Sequence, residues 1–297
     1  MPERSLLYSV YGPKTAFEMT WKEAEELLEE TDIGILIFGS TEQHGIHNPS
    51  GADTMIPLEV AKRASLRLSE EGIKVFLTTP IPFGMAHHHL RFAGSIALQP
   101  ETAMNLVFDV ATCLVDQGIK KLVMMVGHTS AEQTAILSLT ALKLQQKYGT
   151  MVTIYNWASA SREIPYPTAE YTAERDKLRE MSLSSCFSAH GGEGETAMML
   201  AICPDLVNKD LMEPGCSKEG EARYRGMVVG RKGAHPGPVT GMFIPSPGPF
   251  DDFYKKDGVS LGHIGDPTVA TREYGEQYLK VCSIALAEQI KRLHDQE

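Results

Sequence analysis

The chain has 297 residues, 42% of them hydrophobic, with 28 Lys and Arg against 38 Asp and Glu and a formal charge of −10. That length is enough for one large α/β domain with a sizeable core. The acidic balance excludes a protein built to coat nucleic acid or anionic lipid, which needs a positive footprint, and no apolar run reaches the ~20 residues that span a bilayer.

In chain order, the pattern predicts a helix over 21–30 and then a buried strand over 33–38, IGILIF. The strand empties into GSTEQHGIHNPSGADT, which carries Glu42, His44, His47 and Asp53. A helix over 55–71 follows, for which Asp53 is also a possible N-cap. Next come a strand over 74–78 and the segment PFGMAHHHLRFAGS, with His87, His88 and His89 in a row. At most one functional member is expected of those three, a run more often met as a surface or loop feature. A helix over 100–117 leads to a strand over 121–126 and the turn GHTS, with His128. The helix over 130–147 has a capping-box start at Thr129 and Glu132 and a C-cap at Gly149. A strand over 151–155 is followed by AHGGEGETAMML, where His190 and Glu195 flank a glycine-rich entry into a helix over 195–203. The stretch 233–250, with five Pro and four Gly, reads as a long irregular loop. A last helix covers 271–293.

Apolar strands alternating with amphipathic helices imply an α/β fold with a mostly parallel sheet covered on both faces. Residues 1–297 are read as a single domain. The first ten residues lack an apolar signal core. The five Cys are scattered without a Cys-x-x-Cys pair, so reduced thiols and a cytoplasmic location are expected.

In parallel sheets, ligands bind at the carboxyl ends of the strands. Four polar clusters fall where strands end or helices begin. Imidazoles with carboxylates suit a divalent ion such as Zn²⁺ or Mn²⁺. Two histidines and three carboxylates are too many for one tetrahedral ion that must also hold water. They suit two ions roughly 3.5–4 Å apart that share a carboxylate, which is hydrolytic machinery. Each cluster alone has a plainer reading as a solvated loop, a cap or a turn. A serine triad through Ser130 or Ser188 lacks the Gly-x-Ser-x-Gly elbow. A dinucleotide fold lacks a strand before its glycines.

The motifs GSTEQHGIHNPSGADT, GMAHHHLRFAGSIAL, VGHTS, HGGEGETAMML and GHIGDPTVATREYGEQ resemble the creatininase family, over most of the chain. The resemblance implies a three-layer α/β/α fold, two divalent metal ions and a homo-oligomer, often a hexamer. It implies that Glu42 and His128 hold one ion, that His44 and Glu195 hold the other, and that Asp53 bridges. His190 would transfer the proton. Two positions depart from the pattern of creatininase itself. Ser130 stands where a glutamate is a further ligand, and Cys186 where a tryptophan belongs to an aromatic lid, with Trp157 a candidate substitute. The expected activity is therefore a metal-dependent hydrolysis of a small polar cyclic or amide substrate other than creatinine. The alternatives are a C–C ring-opening hydrolase of a cyclic diketone such as a diketo-inositol, and a metal-stabilised binding protein without catalysis.

Overall fold

A computed structural model of the chain describes residues 12–90, 92–185, 188, 190–215 and 262–296. The loop expected at 233–250 and Cys186 lie outside the described residues. Four strands form one parallel sheet: β1 (Ile33–Phe38), β2 (Phe76–Leu77), β3 (Lys121–Val126) and β4 (Met151–Asn156), in the order β2-β1-β3-β4. All six β1 residues are buried, so both faces of that strand are covered. The β2 ladder is shorter than the predicted 74–78, because only two residues pair with β1.

Helices lie on both faces: α1 (Trp21–Leu28), α2 (Ala52–Glu70), α3 (Pro100–Asp116), α4 (Ala131–Tyr148), α5 (Trp157–Ala160), α6 (Ala169–Met181), α7 (Glu193–Ile202) and α8 (Arg272–His294). Strand side chains alternate between two cores, as a period of two requires. Ile33, Ile35, Ile37, Val123 and Met125 face α2, α7 and α8. Leu36, Phe38, Leu122, Met124 and Val126 face α3 and α4. The result is the expected three-layer α/β/α arrangement. Gly275 of α8 lies so close to α7 that a Cβ there would stand 1.9 Å from the Ala197 carbonyl oxygen. Among the described residues, no helix is long and apolar enough to cross a membrane.

Three local expectations are corrected. Helix α2 starts at Ala52 with Gly51 at its N-cap, so Asp53 sits inside the first turn and caps nothing. Pro57, a residue usual at helix starts, lies further along that helix. The cap of α4 is Ser130, not Thr129: its hydroxyl accepts from the Gln133 amide at 3.1 Å. Helix α6 was not expected at all. The Gly149 C-cap is present, in the left-handed conformation.

The register fixes where the chemistry can lie. Phe38 is level with Val126, and Val126 with Asn156. The three strands therefore end together, and the segments after them leave from one edge of the sheet.

Candidate metal centre

Five side chains from four segments converge at that edge. Glu42 and His44 come from the loop after β1, Asp53 from the first turn of α2, His128 from the turn after β3, and Glu195 from the first turn of α7. Glu42, His44, Asp53 and His128 are buried, and the Glu195 side chain is 12% exposed. Glu42 Oε1 lies 3.0 Å from His128 Nδ1. The same nitrogen is 3.2 Å from Asp53 Oδ2. The other Asp53 oxygen, Oδ1, lies 3.4 Å from His44 Nε2, which is 3.8 Å from Glu195 Oε2. Asp53 thus gives one oxygen to each of two neighbouring donor groups.

Three of the five ligand-type side chains are held from behind. The Ser40 hydroxyl donates to Glu42 Oε2 at 2.8 Å. His44 Nδ1 faces the Glu42 carbonyl at 3.1 Å, so its proton sits there and Nε2 is turned to the carboxylates. The Gly191 amide donates to Glu195 Oε2 at 2.6 Å. Trp157 is buried under the His128 turn, where its indole N–H donates to the Gly127 carbonyl at 3.0 Å. It therefore supports the centre from within the core.

His190 follows the same logic. Its Nε2 is 2.6 Å from the Gln43 carbonyl, and its Nδ1 faces Glu42 Oε1 at 4.0 Å. Its ring lies beside His44, with centroids 4.3 Å apart, and stacks on His89 at 4.4 Å and 20°. The His87–His89 run forms one turn of 3₁₀ helix. With about three residues per turn, its side chains diverge. His89 is buried and puts Nε2 3.2 Å from Glu42 Oε1. The His88 ring lies tilted against those of His89 and His128, with centroids 4.0 and 5.2 Å away. His87 lies in the field of Glu132.

The charges are those of a site that wants cations. Burial penalises ionised Glu42, yet the imidazoles of His128 and His89 hold its carboxyl well below the usual range. Burial opposes a charged His44, but Asp53, Glu195 and Glu42 together lift it to about 10. His128 is likewise raised well above its ordinary value against its burial, by Glu42 and Asp53. Glu195 is pushed up to about 7 by burial and by its neighbours Asp53 and Glu42, against the pull of His44. Three carboxylates thus demand compensating positive charge, and protonated imidazoles meet that demand in the protein alone. Divalent ions meet it equally well by displacing those protons.

The donor spacing fits such ions. Donors at ~2.1 Å from a tetrahedral ion are about 3.4 Å apart, and the contacts above run from 3.0 to 3.8 Å. Glu42 Oε1 and His44 Nε2 have no partner in hydrogen-bond geometry despite full burial. Glu42 Oε1 is within ion-pair range of three imidazoles, those of His128, His89 and His190, but none of them meets it in hydrogen-bond geometry. Among the described residues, three sets of donor atoms lie within 4.8 Å of one another: Glu42, Asp53 and His128; His44, Asp53 and Glu195; and Glu42, His44 and His190.

All six residues singled out in the sequence are brought together. Several others lie in the same shell without a role assigned from the sequence. Gln43 and His89 join the network above. His47 Nε2 is 2.9 Å from the Gly191 carbonyl and 3.0 Å from Thr196 Oγ1. His263 is buried beside His47, with centroids 5.1 Å apart. His47 is lowered to about 4 by burial and by His263. His47, His89 and His263 all lie within the quoted motifs, but nothing in their spacing separates a ligand from its support.

A layered α/β fold with a buried carboxylate–imidazole cluster at the carboxyl edge of its sheet defines an enzyme scaffold able to hold divalent ions. The chain belongs to the creatininase family of hydrolases, whose model, described as creatinine amidohydrolase, matches residues 17–290. The 3-dehydro-scyllo-inosose hydrolase of Thermotoga maritima is 25% identical over 267 residues, covering 87% of this chain and 76% of that protein. The creatinine amidohydrolase of Pseudomonas putida is 25% identical over 92% of this chain and 95% of its own. The mycofactocin precursor peptide peptidase of Mycobacterium ulcerans is 26% identical over 84% of this chain and 81% of its own. Among solved structures, a creatinine amidohydrolase superposes with a TM-score of 0.68 at 22% identity, covering 95% of this chain and 98% of that one. A manganese creatininase and a mutant creatininase of the Zn–Zn type each superpose at 0.66.

Proposed function

We propose that this chain is a metal-dependent hydrolase of a small polar cyclic or amide substrate, with two divalent ions per site. In this reading Glu42 and His128 hold one ion, His44 and Glu195 the other, and Asp53 bridges. The observation that carries it is the division of Asp53: Oδ2 faces the Glu42–His128 group and Oδ1 faces the His44–Glu195 group. Zinc or manganese is the expected metal, supported by the donor set and by the zinc and manganese forms among the structural neighbours. When bound, such a pair supplies an acidified water and a Lewis acid.

The protein's own residues do the rest. Gly191 N–H and Ser40 Oγ hold two of the carboxylates in place. His190 is held well below its ordinary value by burial and by His44 and His89, so it enters the reaction neutral. Its Nδ1 faces the centre, where it accepts a proton from the nucleophile and returns it to the leaving group. The small-molecule substrate sits at the carboxyl edge of the sheet, over His190 and the donor cluster.

Creatinine is expected to be a poor substrate. Ser130 stands at the position of a further ligand, and its hydroxyl is engaged in capping α4. C–C ring opening of a cyclic diketone is the second reading, favoured by the similarity to the inosose hydrolase. The setting we expect is the cytoplasm, supported by the free thiols of Cys113, Cys203 and Cys282. The test is turnover of lactams including creatinine, formamides and cyclic diketones by protein of measured metal content. Transition metal near two equivalents, with hydrolysis abolished by chelation, is the expected result. Protein that binds no metal, and whose activity ignores chelators, would exclude the reading.

A further inference from the structure

The amide of Gln43 lies at the edge of the stacked imidazoles of His89 and His190, within reach of one nitrogen of each, and its orientation is pinned from outside. The Gly45 amide donates to Gln43 Oε1 at 2.8 Å, and Gln43 Nε2 donates to the Gly262 carbonyl at 2.6 Å. Turning the amide over would set N–H against N–H and oxygen against oxygen. Both anchors are glycines in the left-handed region, with φ of 78° and 83°. A Cβ on Gly262 would lie 2.1 Å from Gln43 Oε1, so the anchor can approach this closely only as glycine.

An amide nitrogen carries two hydrogens. One goes to Gly262. The other faces His89 Nδ1 at 2.9 Å, so that nitrogen accepts and the His89 proton is on Nε2, pointing at Glu42 Oε1. Gln43 Nε2 is also 3.1 Å from His190 Nε2. With both amide hydrogens engaged, His190 Nε2 has none to receive. It carries its own proton and donates to the Gln43 carbonyl at 2.6 Å. That leaves His190 Nδ1 without a proton on the side of the centre.

We infer that Gln43 is a positioning residue that sets the tautomers of both His89 and His190: side-chain amide to one, backbone carbonyl to the other. His190 thereby presents a bare Nδ1 to the reacting atoms. His89 turns its Nε2–H toward Glu42 Oε1 at 3.2 Å, a charge contact rather than a hydrogen bond. The catalytic meaning of the His190 tautomer rests on the function proposed above, but the tautomers themselves do not.

The test is nitrogen NMR of the full chain labelled with ¹⁵N-histidine and loaded with diamagnetic Zn²⁺. Signals are assigned from His89→Asn and His190→Asn variants. In the wild type, both rings are expected as neutral Nε2–H tautomers, with a pyridine-like Nδ1. In Gln43→Glu, the replaced amide offers only acceptors, and His89 is expected to gain a proton on Nδ1. Zinc stoichiometry should stay within about 20% of wild type, since no ligand is changed. A wild-type His89 protonated on Nδ1, or a wild-type His190 with its proton on Nδ1, overturns the inference even if the variant fails to fold. An unchanged His89 tautomer in folded Gln43→Glu overturns it as well. Failure to bind zinc would instead count against the proposed function, and the ring tautomers can still be read on that sample.

Discussion

Asp53 and His190 belong to one cluster, yet they should fail in different ways. Asp53→Ala removes the carboxylate that faces both donor groups. Two cations left without it would repel each other in a partly desolvated site. Metal content is therefore expected to collapse together with activity. His190→Ala removes a group whose Nδ1 is 4.0 Å from Glu42 Oε1. Both ions should remain, and the rate should drop by the ~10²–10⁴-fold that acid–base help is worth. Elemental analysis and kcat on the two variants distinguish these outcomes. Metal loss in the His190 variant, or an unchanged rate there, would show that its role is misassigned. Ser130 makes a third contrast. Its hydroxyl accepts from the Gln133 amide, so Ser130→Ala should cost about 1 kcal/mol of stability, as lost N-caps do, and leave metal content alone. A loss of metal with unchanged Tm would make Ser130 a ligand instead.

At the scale of elements, what could be read from the sequence followed the apolar pattern. Strands β1, β3 and β4 stand as unbroken runs between polar segments, and the ligand-type residues follow the first two directly. Glu42, His44 and His128 were therefore readable as soon as the strands were. Helix α6 was not, because only Tyr171 and Leu178 of its thirteen residues are buried. Two anchors seven residues apart make too thin a stripe for a periodicity argument. The α4 cap was displaced by one residue because Thr129 and Ser130 are adjacent hydroxyls, both able to cap, and the better capper, Ser130, holds the position. Gln43 was hidden for another reason: its role depends on Gly45 and Gly262, the latter 219 residues away. The segment before α1 also docks through a long-range contact. Lys62 of α2 is fully buried and donates to Glu18 at 2.9 and 3.2 Å. Burial disfavours ionised Glu18, but the Thr15 amide and Lys62 outweigh it and keep its pKa below the ordinary value. A carboxylate depressed in the folded state stabilises above its unfolded pKa, and that contribution fades as pH falls through the folded value. Glu18→Gln should therefore lose about 1.5–3 kcal/mol at neutral pH, the range for hydrogen bonds to charged groups. In denaturant titrations the gap to wild type should close in acid. A gap that stays constant from neutral pH down to well below the carboxylate range would refute the charge argument.

The molecule as a whole carries a formal charge of −10, which opposes association between copies. Against that, it exposes large apolar side chains. On α4, Leu139 is 50% and Leu142 53% exposed. Being three residues apart, they share a helix face. Near the site, the segment after α6 exposes Leu183 by 64%, while its backbone amide donates to Glu193 Oε1 at 2.6 Å in the first turn of α7. That ties a solvent-facing leucine to the helix carrying Glu195. Homo-oligomerisation, which the family resemblance implies, would cover such side chains, and contacts at Leu183 would act directly on the entry to α7. The expected behaviour has a particular salt dependence. Like net charges repel over a distance that shrinks to ~8 Å at physiological ionic strength, while apolar contact does not weaken with salt. Sedimentation at micromolar concentration should therefore give a multiple of the chain mass, with association strengthened from low to physiological salt. Association that weakened with salt would point to ion pairs rather than apolar burial as its basis. A monomer that remains fully active at micromolar concentration and physiological salt would refute the oligomer outright and leave the exposed leucines without a role in the site.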